Sequence, residues 1–369
     1  MNTGQPQTDP AFSSAQVLPG PAALSAQTAL SAAAARAATE NRLAILSILQ
    51  GRDRRLLVII GPCSVHDPAE ALDYAHWLLP FARRMQDCML IAMRCYVEKS
   101  RTGAGWRGLA RQPLPAGIMA SGAGSATDGS TTLQASPQSG IQAARAFLVQ
   151  VAELGLPVAV EMVSPFLWPY WSDCVSWASV GARGVESQAL REAASALPCA
   201  CGFKNATDGS IDTALHAIQT AALPGPVLAL HSAAADSTLY ELSSRGNPCP
   251  HLILRGGRQG PNLAAASQHP ELPENLPLIV DASHANSGFN PARQTELAQQ
   301  AIELRRSNGT IRGIMIESYL HTGSQSLPEN CWQGTSTQRL QTGLSITDPC
   351  LGQDESAQLL EGLYRQLAF

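Results

Sequence analysis

The sequence predicts an α/β chain folded as a (β/α)8 TIM barrel with an N-terminal helical extension and an inserted β-hairpin. Three observations carry that reading. From Arg55 onward short apolar runs alternate with helical stretches, which implies parallel strands covered by helices. Nearly every run is followed at once by charged or metal-ligating side chains, as expected where all strands end on one face. No G-x-G-x-x-G follows the first strand, which disfavours the dinucleotide crevice of an open doubly wound sheet.

Residues up to about Val17 are rich in Ala, Ser, Gln and Pro and read as a loose arm. Between Pro21 and Gln50 the pattern turns helical, with Leu43, Ile45, Leu46, Ile48 and Leu49 spaced along it. Residues 1–54 are therefore expected to be an oligomerisation or regulatory extension, with the Leu/Ile face at 43–49 as its self-association surface. Residues 55–369 form the barrel. Its runs are LLVII (56–60), MLIAM (89–93), PVAV (157–160), SVGA (179–182), CGF (201–203), PVLAL (226–230), HLIL (251–254), LPLIV (276–280) and GIMI (313–316). These are one more than a barrel needs. A second possible strand at Leu239 to Leu242 and a Gly-Asn-Pro turn make 226–250 the inserted hairpin. Asp67 before Pro68, with Glu70 at the third position, and Asn290 before Pro291, with Gly309 beyond, mark helix ends. The segment 113–140 is flexible by composition.

The chain has 369 residues, 45% hydrophobic and 15% charged, enough to bury a core. A net charge of −4 offers no long-range attraction to nucleic acid or anionic lipid, so any anion must be bound by a local cluster. No apolar stretch approaches the roughly 20 residues of a membrane span. No positive charge precedes Arg36, so neither a signal nor a transit peptide is expected, and the location expected is cytoplasmic. The nine scattered cysteines, without a C-x-x-C pair, read as reduced thiols. Of the 25 basic residues all but Lys99 and Lys204 are arginine. A lysine here is a rare choice, and its compact, transferable proton is what sets it apart.

Two constellations share the strand ends. Arg94, Lys99, Arg101, Arg183, Lys204 and Arg255 form a cationic one, and six cations in one cleft repel unless phosphate or carboxylate is bound there. The plainer alternative is structural pairing with Glu98, Glu161, Glu186 and neighbouring backbone carbonyls. The second constellation is Cys63, His284, Glu317 and Asp348, a thiolate, imidazole and carboxylate set able to surround one divalent transition metal. Each residue alone is weak evidence, since buried cysteines and lone histidines are usually core residues. A metal beside a multiply anionic pocket suits carbon–carbon bond formation between phosphorylated small molecules.

At these residues the sequence resembles the microbial class I 3-deoxy-D-arabino-heptulosonate 7-phosphate (DAHP) synthases. The matching blocks are LLVIIGPCSVHDP (56–68), MRCYVEKSRTGAGWRG (93–108), GARGVESQ (181–188), GFKNATDGSI (202–211), HLILRGG (251–257), DASHANS (281–287), GIMIESYL (313–320) and GLSITDPCLG (343–352). The resemblance implies condensation of phosphoenolpyruvate with erythrose 4-phosphate and water, giving DAHP and phosphate, the first step of the shikimate route to chorismate and the aromatic amino acids. It implies one divalent ion (Mn, Fe, Co or Zn) on Cys63, His284, Glu317 and Asp348. It places phosphoenolpyruvate on Arg94, Lys99, Arg183, Lys204 and Arg255 with Glu161 nearby, and erythrose 4-phosphate on Lys99-Ser100-Arg101-Thr102. Lys99 is the candidate proton donor to the new alkoxide, with Cys63, Asp348 and His284 completing the catalytic set. A homodimer or homotetramer without nucleic-acid or membrane partners is expected.

Several positions depart from the family pattern. Lys99-Ser-Arg-Thr-Gly103 replaces K-P-R-T-T, loosening the loop where the sugar phosphate docks. The loop 113–140 is longer, and Glu161-Met-Val-Ser164 replaces Glu-Phe-Leu-Asp. These changes leave open a secondary-metabolism paralogue using an amino or imino aldehyde phosphate. A non-catalytic paralogue that binds phosphoenolpyruvate or an amino acid is the alternative of another class. Cys350, two residues past Asp348, is expected near Cys63.

Overall fold

The computed structural model describes residues 16–119, 136–263, 269–333 and 338–368. Two helices, α1 (Pro21–Gln27) and α2 (Ala32–Leu49), precede the barrel. There follow β1 (Leu56–Gly61), α3 (Pro68–Arg84), β2 (Met89–Arg94), α4 (Pro137–Glu153), β3 (Val158–Glu161), β4 (Val175–Val180), α5 (Gln188–Ser195), β5 (Cys201–Lys204) and α6 (Asp212–Ala222). Next are β6 (Gly225–Leu230), β7 (Leu239–Ser244), β8 (Pro250–Leu254), β9 (Leu278–Asp281), α7 (His284–Ser287), α8 (Arg293–Ser307), β10 (Ile311–Glu317) and α9 (Gln353–Ala368). Eight strands close a parallel barrel in the order β1-β10-β9-β8-β5-β4-β3-β2, and β6 and β7 pair antiparallel outside it. The surplus run PVLAL is thus the first strand of the inserted hairpin. No helix among the described residues is long and apolar enough to cross a membrane.

Alternation along the strands sorts the core into two layers. Leu57, Ile59, Ala92, Ala159, Trp177, Ile253, Ile279 and Met315 form one cluster, and the intervening Val58, Ile60, Ile91, Val160, Leu252, Val280 and Ile314 join the helices in a larger one. The first is the barrel interior, the second the strand–helix layer, as a period of two requires. Ile45, Ile48 and Leu49 of α2 belong to the interior cluster and are fully buried. The Leu/Ile face at 43–49 is therefore the floor of this chain's own barrel and not a self-association surface. Only Leu43 of that set stands well exposed, at 61%.

Other expectations shift by a few residues. β4 spans Val175–Val180 and not 179–182, because buried Ser176 and Ser179 interrupt the apolar run without ending the strand. Asp67 caps α3 as expected, accepting from the backbone N–H of Ala69 and Glu70. Asn290 makes a turn, accepting from Ala292 N–H at 3.1 Å, and α8 starts at Arg293. Its far end is closed by Asn308, whose Oδ1 accepts from Thr310 N–H, and not by Gly309. Of the loop 113–140, Ala116–Ile118 is a 3-10 turn and 137–140 already belong to α4, capped by Ser136, while 120–135 lie outside the described residues.

His251 of β8 is fully buried in the barrel, with Nε2 accepting from the Trp177 indole at 3.1 Å and Nδ1 2.9 Å from the Cys249 carbonyl. Burial pulls its pKa from 6.5 down to about 4, against the smaller opposing effect of that carbonyl. Between those values the unfolded chain binds the proton and the folded chain does not. Stability is therefore full above pH 6.5 and is lost as the pH falls towards 4, by up to about 3 kcal/mol. His251→Gln should flatten this acid limb in urea unfolding curves taken from pH 4 to 7. An unaltered pH slope would show that His251 does not carry it.

Candidate active site

The interior rows continue to the C-terminal end of the barrel, where they change from apolar to charged. Arg94, Glu161, Lys204, Asp281 and Glu317 are the last residues of β2, β3, β5, β9 and β10, and Arg255 directly follows β8. They share the alternation of Ala92, Ala159, Ile253, Ile279 and Met315, so they face the barrel axis. Arg94 Nη2 donates to Glu317 Oε1 at 2.8 Å, its Nε donates to the Pro62 carbonyl, and its guanidinium lies 3.7 Å from the Tyr96 ring centroid. Lys204 Nζ lies 3.0 Å from Asp281 Oδ2. The Gln294 side chain of α8 binds both the N–H and the C=O of Glu317, fixing that strand end. Glu161 lies over Gly181, where a Cβ would stand 2.2 Å from its Oε1.

Above this layer, Cys63 follows β1 and Asp348 arrives on the loop before α9. Ligand atoms of Cys63, Glu317 and Asp348 lie within 4.8 Å of one another. His284 completes the expected set less closely: its Nε2 is 3.6 Å from Glu317 Oε1, while Nδ1 is 2.9 Å from Asp281 Oδ2. A carboxylate on Nδ1 leaves Nε2 free to ligate, an arrangement common around metal-binding histidines. Lys99 Nζ donates to Cys63 Sγ at 2.9 Å and lies 3.7 Å from Asp348 Oδ2. Cys63 Sγ in turn donates to Asp348 Oδ2 at 3.3 Å. Cys350 is buried nearby, close enough to feel Cys63, and all nine cysteines are free.

Burial and the Glu317 charge push the Cys63 thiol up to about 12, so it is protonated until a cation replaces the proton. Burial would raise Asp348 too, but Lys99 and His284 outweigh it and hold the carboxyl near 2. For Lys99 burial acts downward, and the surrounding Cys63, Asp348 and Glu317 overcome it and raise the ammonium above its ordinary value. Asp281 stays ionised despite burial because His284 and Lys204 flank it.

The six predicted cations divide. Arg94 and Lys204 pair with Glu317 and Asp281, and Lys99 with Asp348, whereas Arg101, Arg183 and Arg255 have no carboxylate within 4.0 Å among the described residues. Of the plainer alternative, pairing with Glu98, Glu161 and Glu186 is not seen among the described residues, whereas backbone carbonyls do accept from Arg94 (Pro62 and Cys63) and Arg255 (Gly256, 3.4 Å). Glu98 accepts from the N–H groups of Val163 and Ser164 instead. Arg183 Nε donates to Thr102 Oγ1 at 2.5 Å. A cleft of about 780 Å³ opens here, lined by Lys99, Arg101, Glu161, Arg183, Leu327 and Trp332 among others. Sequence reasoning passed over Asp281, Tyr96 and Gln294 as site residues. Asp281 was signalled by being a strand-terminal charge in interior register.

Fold and site together define a (β/α)8-barrel protein with a cleft lined by arginines above a buried sulfur and oxygen donor cluster. Residues 26–361 match the DAHP synthetase I family. The chain belongs to that family. It is 38% identical to the phospho-2-dehydro-3-deoxyheptonate aldolase of Corynebacterium glutamicum, over 94% of this chain and 90% of the relative. Identity is 40% to the Trp-sensitive enzyme of Enterobacter agglomerans, over 92% of each chain. The solved phospho-2-dehydro-3-deoxyheptonate aldolase of Francisella tularensis SCHU S4 superposes with a TM-score of 0.85 at 30% identity, covering 97% of this chain and 98% of that one.

Arg94→Met should destabilise the fold by about 3–5 kcal/mol in denaturant titrations, because Glu317 is left buried without its counter-charge. Arg94→Met combined with Glu317→Gln should recover part of that loss. Strict additivity of the two changes would show that the pair is not coupled.

Proposed function

We propose that this chain condenses phosphoenolpyruvate with erythrose 4-phosphate and water to give DAHP and phosphate, using one divalent metal ion. The observation that carries the reading is Lys99, poised over Cys63 and Asp348 at the floor of a cleft whose Arg101 and Arg183 have no carboxylate partner among the described residues. Cys63, Glu317 and Asp348, with His284 turned towards Glu317, would hold the ion, which when bound supplies a Lewis acid for the aldehyde carbonyl. The mixed S/N/O set fits Mn, Fe, Co or Zn.

Arg183 and Arg255, free of carboxylate partners among the described residues, would clamp the phosphate and carboxylate of phosphoenolpyruvate, with Arg94 and Lys204 beneath them. Arg101 and Thr102 would take the sugar phosphate. Lys99, kept charged by its neighbours, would give its proton to the alkoxide formed at the aldehyde oxygen. Glu161, within 3.4 Å of Ser100 Oγ, faces the same cleft and would orient the incoming water. Ser100 and the uncrowded Gly103 favour a second reading, in which the same chemistry acts on a modified aldehyde phosphate. A cytoplasmic location and a dimer or tetramer remain part of the proposal. With the 43–49 face internal, exposed Leu228 and Leu239 of the hairpin are the better candidates to carry self-association.

A phosphate-release assay with both substrates and Mn2+ tests the reaction directly. Turnover should vanish with chelator and return with metal, and absence of turnover with erythrose 4-phosphate under any metal would overturn the leading reading. Lys99→Arg should lower kcat by about 10²-fold or more with a smaller change in KM for phosphoenolpyruvate. Asp281→Asn should weaken Mn2+ binding by about 10–100-fold, measured by titration, because His284 loses its orienting carboxylate.

A further inference from the structure

Three segments that carry the proposed ion ligands meet at one buried carboxylate to which the proposed reaction gives no part. Glu70 stands in the first turn of α3 and is 3% exposed. Its Oε2 accepts from the Gly343 N–H at 3.0 Å and from the Tyr319 hydroxyl at 3.1 Å. Gly343 opens the loop that delivers Asp348, and Tyr319 follows Glu317 just beyond β10. His66, in the turn after Cys63, has Nε2 3.9 Å from the same oxygen and meets the Tyr319 ring edge-on, with centroids 5.9 Å apart. The two tethered segments also bind each other, since His321 N–H donates to the Gly343 carbonyl at 3.0 Å.

Helix capping accounts for a glutamate at the third helix position, but not for bonds that leave the helix for residues 249 and 273 positions away. Ion pairing does not account for it either. Burial lowers the His66 pKa to about 4 against the Asp67 charge, so at neutral pH this imidazole has no charge to offer. Among the described residues no other basic group lies within 4.0 Å of Glu70. A carboxylate so placed is costly, and what offsets the cost is its hydrogen bonds, which end on segments bearing ion ligands. Cys63 and Glu317 are buried at strand ends, whereas the Asp348 side chain is 33% exposed and depends on its loop. We propose that Glu70 is a positioning residue for the ion site, whose reach, and not its charge, sets the Asp348 loop against Glu317 and Cys63. It bonds to none of these ligands and acts through Gly343 and Tyr319. The inference rests on the reading that Cys63, Glu317 and Asp348 hold a divalent ion.

The test is titration of the metal-free full chain with Co2+, read by calorimetry and by the thiolate-to-cobalt absorption that ligation by Cys63 produces, beside the melting temperature without metal. Glu70→Gln keeps an acceptor of the same reach, and should bind Co2+ within about twofold of the parent with the same spectrum. Glu70→Asp keeps the charge but withdraws the oxygen by one methylene, and should bind about tenfold or more weakly with an altered spectrum. Tyr319→Phe removes one donor and keeps the ring, and should weaken binding by about threefold. Parent-like affinity and spectrum in Glu70→Asp, or in Tyr319→Phe should the former not fold, would overturn the assignment. Binding by Glu70→Gln as weak as that of Glu70→Asp would show that charge and not reach is what matters, and would overturn it too. A parent that binds no Co2+ would overturn the ion reading itself and the role of Glu70 with it, whereas failure of the inference alone leaves parent binding intact.

Discussion

Charged side chains with almost no access to water close the top of this barrel, and each is tolerable only because another lies beside it. Arg94, Lys204, Asp281 and Glu317 are at most 3% exposed, and Lys99 8%. An isolated charge in such surroundings costs several kcal/mol. The network that neutralises them runs Arg94–Glu317, Lys204–Asp281–His284 and Lys99–Asp348. Every one of these pairs except Asp281–His284 joins residues distant in the chain, so it forms only when the strands have closed in the right order. The barrel and the candidate site are in this sense one object. A register slip of one residue on any of these strands would turn its charge out of the interior and leave a partner uncompensated.

The least secure member is Asp348, which belongs to a loop and not to a strand. Its loop is tied down at several points. Gly343 N–H donates to Glu70 Oε2 at 3.0 Å, and the same oxygen accepts from the Tyr319 hydroxyl at 3.1 Å. Thr347 and Ser64 share a hydroxyl contact of 2.8 Å, joining the Asp348 loop to the turn that carries Cys63. Isolated bridges pair Leu351 with Ser318 and Cys350 with Gly323. Position at the end of a strand fixes Glu317 through the sheet, whereas Asp348 is fixed by side chains from α3 and the turn after β1 and by backbone bridges to the segment after β10. Such polar supports immobilise a loop when all are satisfied.

The barrel was legible in the sequence because its two signals are independent: apolar runs mark the strands, and the charges after them mark a common face. The alternation that places Arg94, Lys204 and Glu317 on the axis was legible too, since each stands an even number of residues from an interior apolar neighbour. By the same count Asp281 belonged to the site, but its role is to hold Lys204 and His284, and a supporting carboxylate has no motif of its own. Strand four was read as starting only at Ser179 because Ser176 looks like a surface residue and interrupts the apolar run. Ser179 is buried against the Tyr96 hydroxyl at 2.8 Å, a long-range contact that no local pattern announces. The face at 43–49 was rightly read as apolar, yet periodicity says only that a face is buried and not what covers it.

The scarcity of lysine is the feature the geometry explains best. Both lysines sit in narrow, nearly dry positions beside carboxylates, Lys204 3.0 Å from Asp281 and Lys99 between Sγ at 2.9 Å and Asp348 at 3.7 Å. A planar guanidinium would need its partners spread along one edge, whereas an ammonium can direct its three donors to groups stacked around a point. Where the cleft widens, at Arg101 and Arg183, the chain returns to arginine, whose fork suits a free phosphate or carboxylate. In the proposed reaction, position in the mouth would separate two tasks by residue type: Lys99 where charge is compact and its proton can move, Arg101 and Arg183 where an anion would be gripped. Because Cys63 as a thiolate, Asp348 and Glu317 all raise the Lys99 ammonium, its readiness to release a proton is set by the charge that those groups carry. Anything that neutralises them weakens its hold on that proton at the place where the proposed reaction generates an alkoxide.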